Sequence, residues 1–149
     1  MLAVTGEEAD VAAGLAASGD VVVRFVGPGE WLVLSQSETP EGLHRALSLL
    51  LAETAYIVDQ SDGRVVFRLS GPNVRRILAK GIATDLHPAA FETGTSSNVL
   101  CGHISVNLAR TGENEFELIV MRSFAVALFD DLRVMGREFD LSADFSTQG

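Results

Sequence analysis

Cys101 and His103 are the two side chains whose types and spacing come closest to nucleophilic chemistry. A cysteine acts as a nucleophile when a nearby histidine or a helix terminus lowers the pKa of its thiol. Because side chains alternate along a strand, residues 101 and 103 would share one strand face. The preceding residues Val99 and Leu100 are apolar and favour a buried cysteine that acts as a small hydrophobic residue. The reactive pair is therefore the minor interpretation.

Three aspartates have the chemistry of acid/base or metal-binding carboxylates: Asp59, Asp62 and Asp85. Each lies at a turn or a strand end, where aspartate commonly accepts hydrogen bonds from local backbone N–H groups. The histidines are scattered at positions 44, 87 and 103, and none has the spacing to another His or Cys that metal sites use. The sequence therefore predicts no catalytic residue, no cofactor-binding residue and no metal ligand in this chain.

The segment Ser70-Gly71-Pro72 stands between a predicted strand and a predicted helix, where phosphate-binding loops occur. Such loops use several glycines and usually a lysine, whereas this junction has one glycine. The pattern favours a Ser70 helix cap with Pro72 at the first helical position.

Two short segments are candidates for a protein interface. Pro88 restricts the preceding His87 to an extended conformation in the compact loop of residues 85–88, and loops on rigid scaffolds often carry recognition. The second segment, residues 122–124, follows a predicted strand and begins with arginine, a residue enriched in binding hot spots. We predict a partner interface that includes Asp85, His87, Pro88, Arg122, Ser123 and Phe124.

Both segments have a structural alternative. Residues 85–88 could form a loop that only closes the space after the second helix, and Arg122 could bind carboxylates or carbonyls of its own domain. A small basic face made by Arg75, Arg76 and Lys80 also has two interpretations, and a solvated helix face is favoured over a docking site for an acidic partner.

The charge balance excludes some classes of partner. The chain of 149 residues has 11 basic and 20 acidic side chains, a net charge of −9, which disfavours binding to nucleic acid or to anionic membrane surfaces. No apolar stretch approaches the roughly 18 to 20 residues of a membrane span, and no basic segment followed by an apolar run suggests a signal peptide. Cys101 is the only cysteine, so no intramolecular disulfide can form, which fits a reducing cytoplasm.

The elements read as a hairpin followed by a helix, in three rounds that cover residues 21–51, 56–81 and 99–139. Thr39 and Pro40 open the first helix, and Ser123 is predicted to cap the last, whose inner face would include Phe124. Residues 99–109 read as one strand with a bend or bulge near Gly102.

This pattern predicts a single α+β domain over residues 1–149, with an antiparallel or mixed sheet and helices on one face. Strand–helix–strand crossings inside it would have ferredoxin-like character. We expect residues 1–20 to form an arm or a helix and residues 141–149 to form a frayed tail.

Several motifs, in order and at matching spacing, resemble one family over residues 21–139: Gly27-Pro28-Gly29-Glu30-Trp31-Leu32, Arg68-Leu69-Ser70-Gly71-Pro72, Leu78-Ala79-Lys80-Gly81, Asp85-Leu86-His87-Pro88, Phe91 and Arg122-Ser123-Phe124-Ala125. The family that they resemble is the gamma subunit of heterotetrameric sarcosine oxidase. Each short motif is weak alone, whereas their common order and spacing are fairly specific.

The resemblance implies a fold like the folate-binding domain of aminomethyltransferases. It also implies an assembly that oxidises the N-methyl group of sarcosine, giving glycine, hydrogen peroxide and, with tetrahydrofolate, methylenetetrahydrofolate. FAD, FMN, NAD and zinc would belong to partner subunits, and the gamma chain would carry no catalytic residue. The alternatives are a free-standing folate or one-carbon binding protein and a self-associating paralogue without activity.

Overall fold

The computed structural model describes residues 1–16, 18–19, 21–51 and 54–145. These residues form two four-stranded antiparallel sheets, each covered by helices on one face. The elements of sheet A are β1 (Leu2–Gly6), α1 (Glu8–Ala16), β2 (Val22–Gly27), β3 (Glu30–Leu34), α2 (Pro40–Leu51) and β4 (Ala55–Asp59). Those of sheet B are β5 (Arg64–Ser70), α3 (Val74–Leu78), β6 (Ser96–Cys101), β7 (Ile104–Gly112), β8 (Glu115–Met121) and α4 (Ala125–Gly136), with 3₁₀ helices at Arg122–Phe124 and Arg137–Phe139.

Sheet A has the strand order β2-β3-β1-β4 and the element order βαββαβ, which is the ferredoxin-like arrangement. Alternate residues of its strands, including Leu2, Val4 and Val33, are fully buried against the helices. The other face of the sheet carries Arg24 and Leu32 and turns toward sheet B. The predicted ferredoxin-like character is therefore confirmed for this half of the chain.

Helix α2 begins as the sequence predicts. Oγ1 of Thr39 accepts a hydrogen bond from the N–H of Gly42 at 3.1 Å, and Pro40 is the first helical residue. The leucines at a spacing of four form its buried face: Leu43, Leu47 and Leu51.

Sheet B has the order β5-β8-β7-β6, so β6, β7 and β8 form a meander with β5 beside β8. Every second residue of β8 faces the helices, where Phe116, Leu118 and Val120 are fully buried. Helix α4 covers them with Leu128 and Leu132. None of the helices in the described residues covers the other face of sheet B.

The two sheets contact each other through their helix-free faces, with the edge strand β2 lying against β6 and β7. The N–H of Phe25 donates to Oγ of Ser96, and the side chain of Asn107 donates to the carbonyl of Phe25, both at 2.8 Å. On sheet A, burial decreases with distance from this contact. Leu32 on β3 is 1% exposed, whereas Val58 on β4 is 54% exposed.

The predicted α+β fold with antiparallel strands and helices on one face is confirmed, although the strands form two sheets. The second predicted hairpin, residues 56–69, does not form, since β4 pairs with β1 in sheet A whereas β5 pairs with β8 in sheet B. The reason lies in residues 1–20, where β1 precedes the helix α1 and pairs with both β3 and β4. Of the predicted tail, residues 141–145 have no regular secondary structure and residues 146–149 lie outside the described part of the chain.

Two predicted helix caps are wrong. Ser70 is the last residue of β5, and α3 begins at Val74 after Asn73, which makes no side-chain capping bond. Ser123 lies inside the 3₁₀ helix, and α4 begins at Ala125. A turn separates β5 from α3, and the 3₁₀ helix separates β8 from α4. In both places the serine therefore comes too early in the chain to bond the free N–H groups of the first turn of the α-helix.

The predicted bend near Gly102 is a complete reversal of the chain. Gly102 and His103 form a two-residue turn between β6 and β7, and Gly102 has φ +60°. A type II′ turn requires a positive φ at its first central residue, which glycine adopts without steric cost. The single strand predicted for residues 99–109 is therefore a β-hairpin.

Candidate functional site

The structure separates Cys101 from His103. Cys101 ends β6, is 1% exposed and packs in the core between sheet B and its helices, whereas His103 lies in the exposed turn. Burial, with a smaller effect of the Asp131 carboxylate, raises the pKa of the Cys101 thiol, which disfavours the thiolate. The minor interpretation of a shared strand face is wrong because the strand ends between the two residues.

The predicted carboxylates bind their own turns. Oδ1 of Asp59 accepts hydrogen bonds from the hydroxyl and the N–H of Ser61, and these bonds lower the pKa of the aspartate. Oδ1 of Asp85 accepts the N–H of His87 at 2.9 Å. Asp62 contributes its backbone carbonyl, which accepts a hydrogen bond from Arg122. The contacts of Asp59 and Asp85 fit the expected local turn chemistry, whereas the contact of Asp62 is made by its main chain.

The two predicted interface segments lie near opposite ends of sheet B. The loop of residues 85–88 is held near the β7–β8 turn, whereas residues 122–124 follow the other end of β8. A seven-residue strand at about 3.3 Å per residue separates these ends by roughly 20 Å. The structure therefore gives two separate surfaces.

Arg110, which no sequence motif singled out, organises the first of these surfaces. Its guanidinium is buried, with the residue 5% exposed, and donates to the carbonyls of Phe91 and Gly112 at 3.0 Å and of Glu113 at 3.1 Å, with a longer contact to Pro88 at 3.5 Å. One side chain thus ties the loop after α3 to the β7–β8 turn. Asp85, His87 and Pro88 remain exposed on that loop.

The second surface contains Arg122, Ser123 and Phe124, all exposed. Arg122 donates from Nε to the carbonyl of Asp62 at 2.5 Å and from its backbone N–H to the carbonyl of Gly63 at 2.8 Å. The Phe124 side chain is 50% exposed, so it does not belong to the inner face predicted for α4. The 3₁₀ helix rotates it away from the core that Leu128 occupies.

The three predicted basic side chains contact their own chain. Arg75 donates to the carbonyl of Glu113 and to Oδ1 of Asn114, and the Arg76 guanidinium lies 4.8 Å from the ring centre of Phe139. The Lys80 ammonium pairs with Glu138, which lowers the pKa of that carboxyl through a hydrogen bond and charge. Exposed ion pairs of this kind contribute little to stability, because water and salt screen the two charges.

A buried ionic group joins the two sheets. Nη2 of Arg24 lies 2.6 Å from Oε2 of Glu117, and Nη2 of Arg68 lies 2.8 Å from the other carboxylate oxygen. Arg24 is 4% exposed and Glu117 is 8% exposed, so both charges depend on each other for solvation. The hydrogen bond and charge of Glu117 raise the pKa of Arg68. The signal in the sequence was a charge inside each of two apolar strands, VVVRFV and FELIV.

A cavity of about 350 Å³ opens between the two sheets, and residues of both sheets line it. Its lining is mostly apolar: Val26, Leu32, Ile104, Val106, Ile119, Met121 and Phe124. The polar lining residues are Arg64, Asn98, His103, Ser105 and Asn107. The side-chain nitrogen of Asn107 donates to Phe25 and Asn98, and its Oδ1 has no partner among the described residues.

Exposed apolar side chains lie on the helix-free face of sheet B and at its end, and two of them, Met121 and Phe124, line the cavity. The exposed fractions are 59% for Leu100, 54% for Met121, 50% for Phe124 and 41% for Val66. We call these four residues the open face. Large apolar side chains gathered on one face commonly mark an interaction site, whereas scattered ones do not.

Clusters of metal ligands and membrane-spanning helices are both absent from the described ranges of the chain. Within residues 1–16, 18–19, 21–51 and 54–145, no group of three or more His, Cys, Asp or Glu side chains could hold a metal ion. None of the helices in these ranges has the length and the apolar character needed to cross a bilayer.

Comparison with known proteins identifies the family. The model of the sarcosine oxidase gamma subunit family matches residues 2–135. The chain belongs to the sarcosine oxidase gamma subunit family. The resemblance inferred from the short motifs is therefore confirmed.

Two curated relatives are sarcosine oxidase gamma subunits of Corynebacterium species. The chain is 35% identical over 105 residues to the protein of strain P-1 and 34% identical over 127 residues to that of strain U-96. These alignments cover 68% and 83% of this chain but 50% and 61% of the relatives. The chain therefore spans between half and about three fifths of the length of these family members.

A solved structure shares the fold. The chain is similar, with a TM-score of 0.79 and 28% identity, to a chain of the heterotetrameric sarcosine oxidase from Corynebacterium sp. U-96 in complex with pyrrole 2-carboxylate. The match covers 97% of this chain and 82% of that one. Both sheets of the present structure thus fall within the shared architecture.

Proposed function

We propose that this chain is a non-catalytic gamma-type subunit of a flavin-dependent heterotetrameric sarcosine oxidase. The observation that carries the proposal is the family match over residues 2–135, with a shared fold over 97% of the chain. The assembly would oxidise the N-methyl group of sarcosine to give glycine, hydrogen peroxide and, with tetrahydrofolate, methylenetetrahydrofolate. We place it in the cytoplasm, with residues 1–149 acting as one domain.

In this proposal the chemistry belongs to the partner subunits, which would hold FAD, FMN, NAD and zinc. The polar side chains of this chain are used for its own architecture, as the bonds of Arg110, Asp59 and Glu117 illustrate. The role of this chain is to fold as a rigid body and to present surfaces to the larger and smaller subunits, with the predicted interface segments as candidates.

Purification of the tagged chain from its native source tests this function. We expect flavin-bearing chains in fixed proportion, identified by mass spectrometry, together with the visible absorbance of flavin and oxidation of sarcosine. The separately purified chain should be colourless and inactive. A lone chain that recovers no other subunit under mild conditions would contradict the proposal.

A second candidate is a free-standing folate or one-carbon binding protein. The cavity between the sheets favours it, because about 350 Å³ lies at the lower end of the range for ligand pockets, roughly 300–1,000 Å³. Titration calorimetry of the isolated chain with tetrahydrofolate distinguishes the two functions. Binding by the isolated chain supports the second candidate, and absence of heat at high ligand concentration removes it.

A further inference from the structure

We propose that the open face of sheet B is the docking surface for a segment of another subunit, which brings an apolar side chain to the cavity and a carboxylate to Arg64. This inference rests on the proposed function, because it names the surface through which the chain would join the assembly. The occupant is a protein segment with a large apolar residue and an acidic residue close together.

The strand register places the open face on one side of one sheet. Val66 pairs with Ile119, and Ile119 pairs with Asn107, so these three side chains form one row across the helix-free face. Met121 pairs with Arg64 in the next row, and Leu100 pairs with Ser105. Val66 and Met121 are therefore diagonal neighbours on this face, whereas Leu100 lies on the edge strand β6, with β7 between it and β8.

Sheet A covers only part of this surface. Across the row from β7 to β5, Asn107 is 3% exposed, Ile119 is 1% exposed and Val66 is 41% exposed. The apolar side chains continue beyond the point where the cover ends, and the cavity lies at that boundary. A side chain from another molecule would extend the contact that Leu32 of sheet A begins.

The charge of the cavity wall indicates which kind of partner segment would bind there. Its lining residues, all in the described part of the chain, include the guanidinium of Arg64 and no carboxylate, although the whole chain has a net charge of −9. The exposed Arg122 follows Met121 directly and adds a second cation next to this surface. An acidic residue in the partner segment would complement these cations, and such complementarity fixes register and specificity.

Other exposed surfaces fit a partner less well. The loop of residues 85–88 is polar at its exposed positions, and its fold is already held by Arg110. Tyr56 and Val58 on β4 are 82% and 54% exposed, but they lie on sheet A and do not line the cavity. The open face combines apolar area, a concave site and a complementary charge.

The test is co-expression of the tagged full-length chain with the remaining subunits of its source, followed by measurement of complex affinity. Met121→Asp and Phe124→Asp should each weaken assembly about 30-fold, as expected for loss of a hot spot of about 2 kcal/mol. Arg64→Glu should weaken it about 10-fold, the scale of one charge contact.

Val134→Asp is the matched control. It places the same charge on an apolar residue that is 63% exposed on α4, which lies across the sheet from the open face. This variant should assemble like the wild type. Circular dichroism and the thermal midpoint of each isolated variant establish that the chain is folded.

The outcomes of this test distinguish the docking surface from the proposed subunit function on which it rests. If the wild-type chain recovers no other subunit, the proposed function and this inference both fall. If the wild type and all open-face variants assemble with equal affinity, the subunit function stands and the docking surface is overturned. Loss of assembly in His87→Ala alone would point to the loop of residues 85–88 and also overturn it.

Discussion

The thiol of Cys101 lies where sheet B, α3 and α4 come together, and this position determines its reactivity. A Cβ added to Gly81 would approach the Cys101 sulfur to 3.2 Å and the Met135 sulfur to 2.8 Å. The absence of a side chain at position 81 thus permits close packing over the thiol. Because burial also raises the pKa of the thiol, neither access nor ionisation favours its chemistry.

We predict that a thiol reagent at neutral pH labels folded Cys101 at least about 100-fold more slowly than it labels the unfolded chain, since labelling requires local opening. Absorbance of the released reagent chromophore measures the rate. His103→Ala is the control and should leave the rate unchanged. Fast labelling that depends on His103 would restore the nucleophile interpretation.

At the scale of elements, the loop that follows α3 depends on one arginine from another strand. Arg110 donates to the carbonyl of Phe91 in the loop before β6 and to the carbonyl of Glu113 in the β7–β8 turn. Buried carbonyls that lose such donors each cost about 1–3 kcal/mol. The loop also has a turn of its own, in which the N–H groups of Ala90 and Phe91 donate to the carbonyl of His87, and Arg110 ties that turn to β7.

We predict that Arg110→Met lowers the free energy of unfolding by about 1–3 kcal/mol, since the carbonyl of Phe91 loses its buried charged donor. Hydrogen exchange should accelerate in residues 88–91. Arg75→Met is the comparison, because Arg75 contacts only Glu113 and Asn114 in this region. Equal exchange in residues 88–91 of both variants would show that Arg110 does not hold the loop.

The elements also show how much of the fold can be predicted from the sequence. Alternation and leucine spacing predict most strands and the buried face of α2, because these patterns depend on local geometry. Pairing is different, since β4 and β5 are separated by a short turn yet belong to different sheets. That outcome depends on β1. The sequence of its five residues does not distinguish an N-terminal arm from an interior strand. The open face could not be predicted, because it depends on where one sheet stops covering the other.

At the scale of the whole molecule, the contact between the sheets contains a buried charge pair. Removing Glu117 leaves the buried Arg24 without this carboxylate, which costs about 3–5 kcal/mol. Replacing both members by apolar residues of similar size costs far less, because no charge remains to be solvated. The contribution of Arg24 and Glu117 is therefore a property of the pair.

We predict that Glu117→Gln lowers the free energy of unfolding by about 3–5 kcal/mol, measured by urea titration. The double variant Arg24→Met/Glu117→Leu should recover most of that loss. Glu115→Gln on the same strand is the control and should cost less than about 1 kcal/mol, since Glu115 lies 4.0 Å from the exposed Arg68. A double variant as unstable as Glu117→Gln would show that the pair is not the source of the effect.

The position of β1 also has a consequence for biosynthesis. This strand leaves the ribosome before β3 and β4, yet it lies between them in the finished sheet. Until residue 59 has emerged, the strand has an unsatisfied backbone edge and an apolar face that includes Leu2 and Val4. The nascent chain therefore passes through a period in which its first strand is open to chaperones and to mispairing, and that period ends when β4 is added.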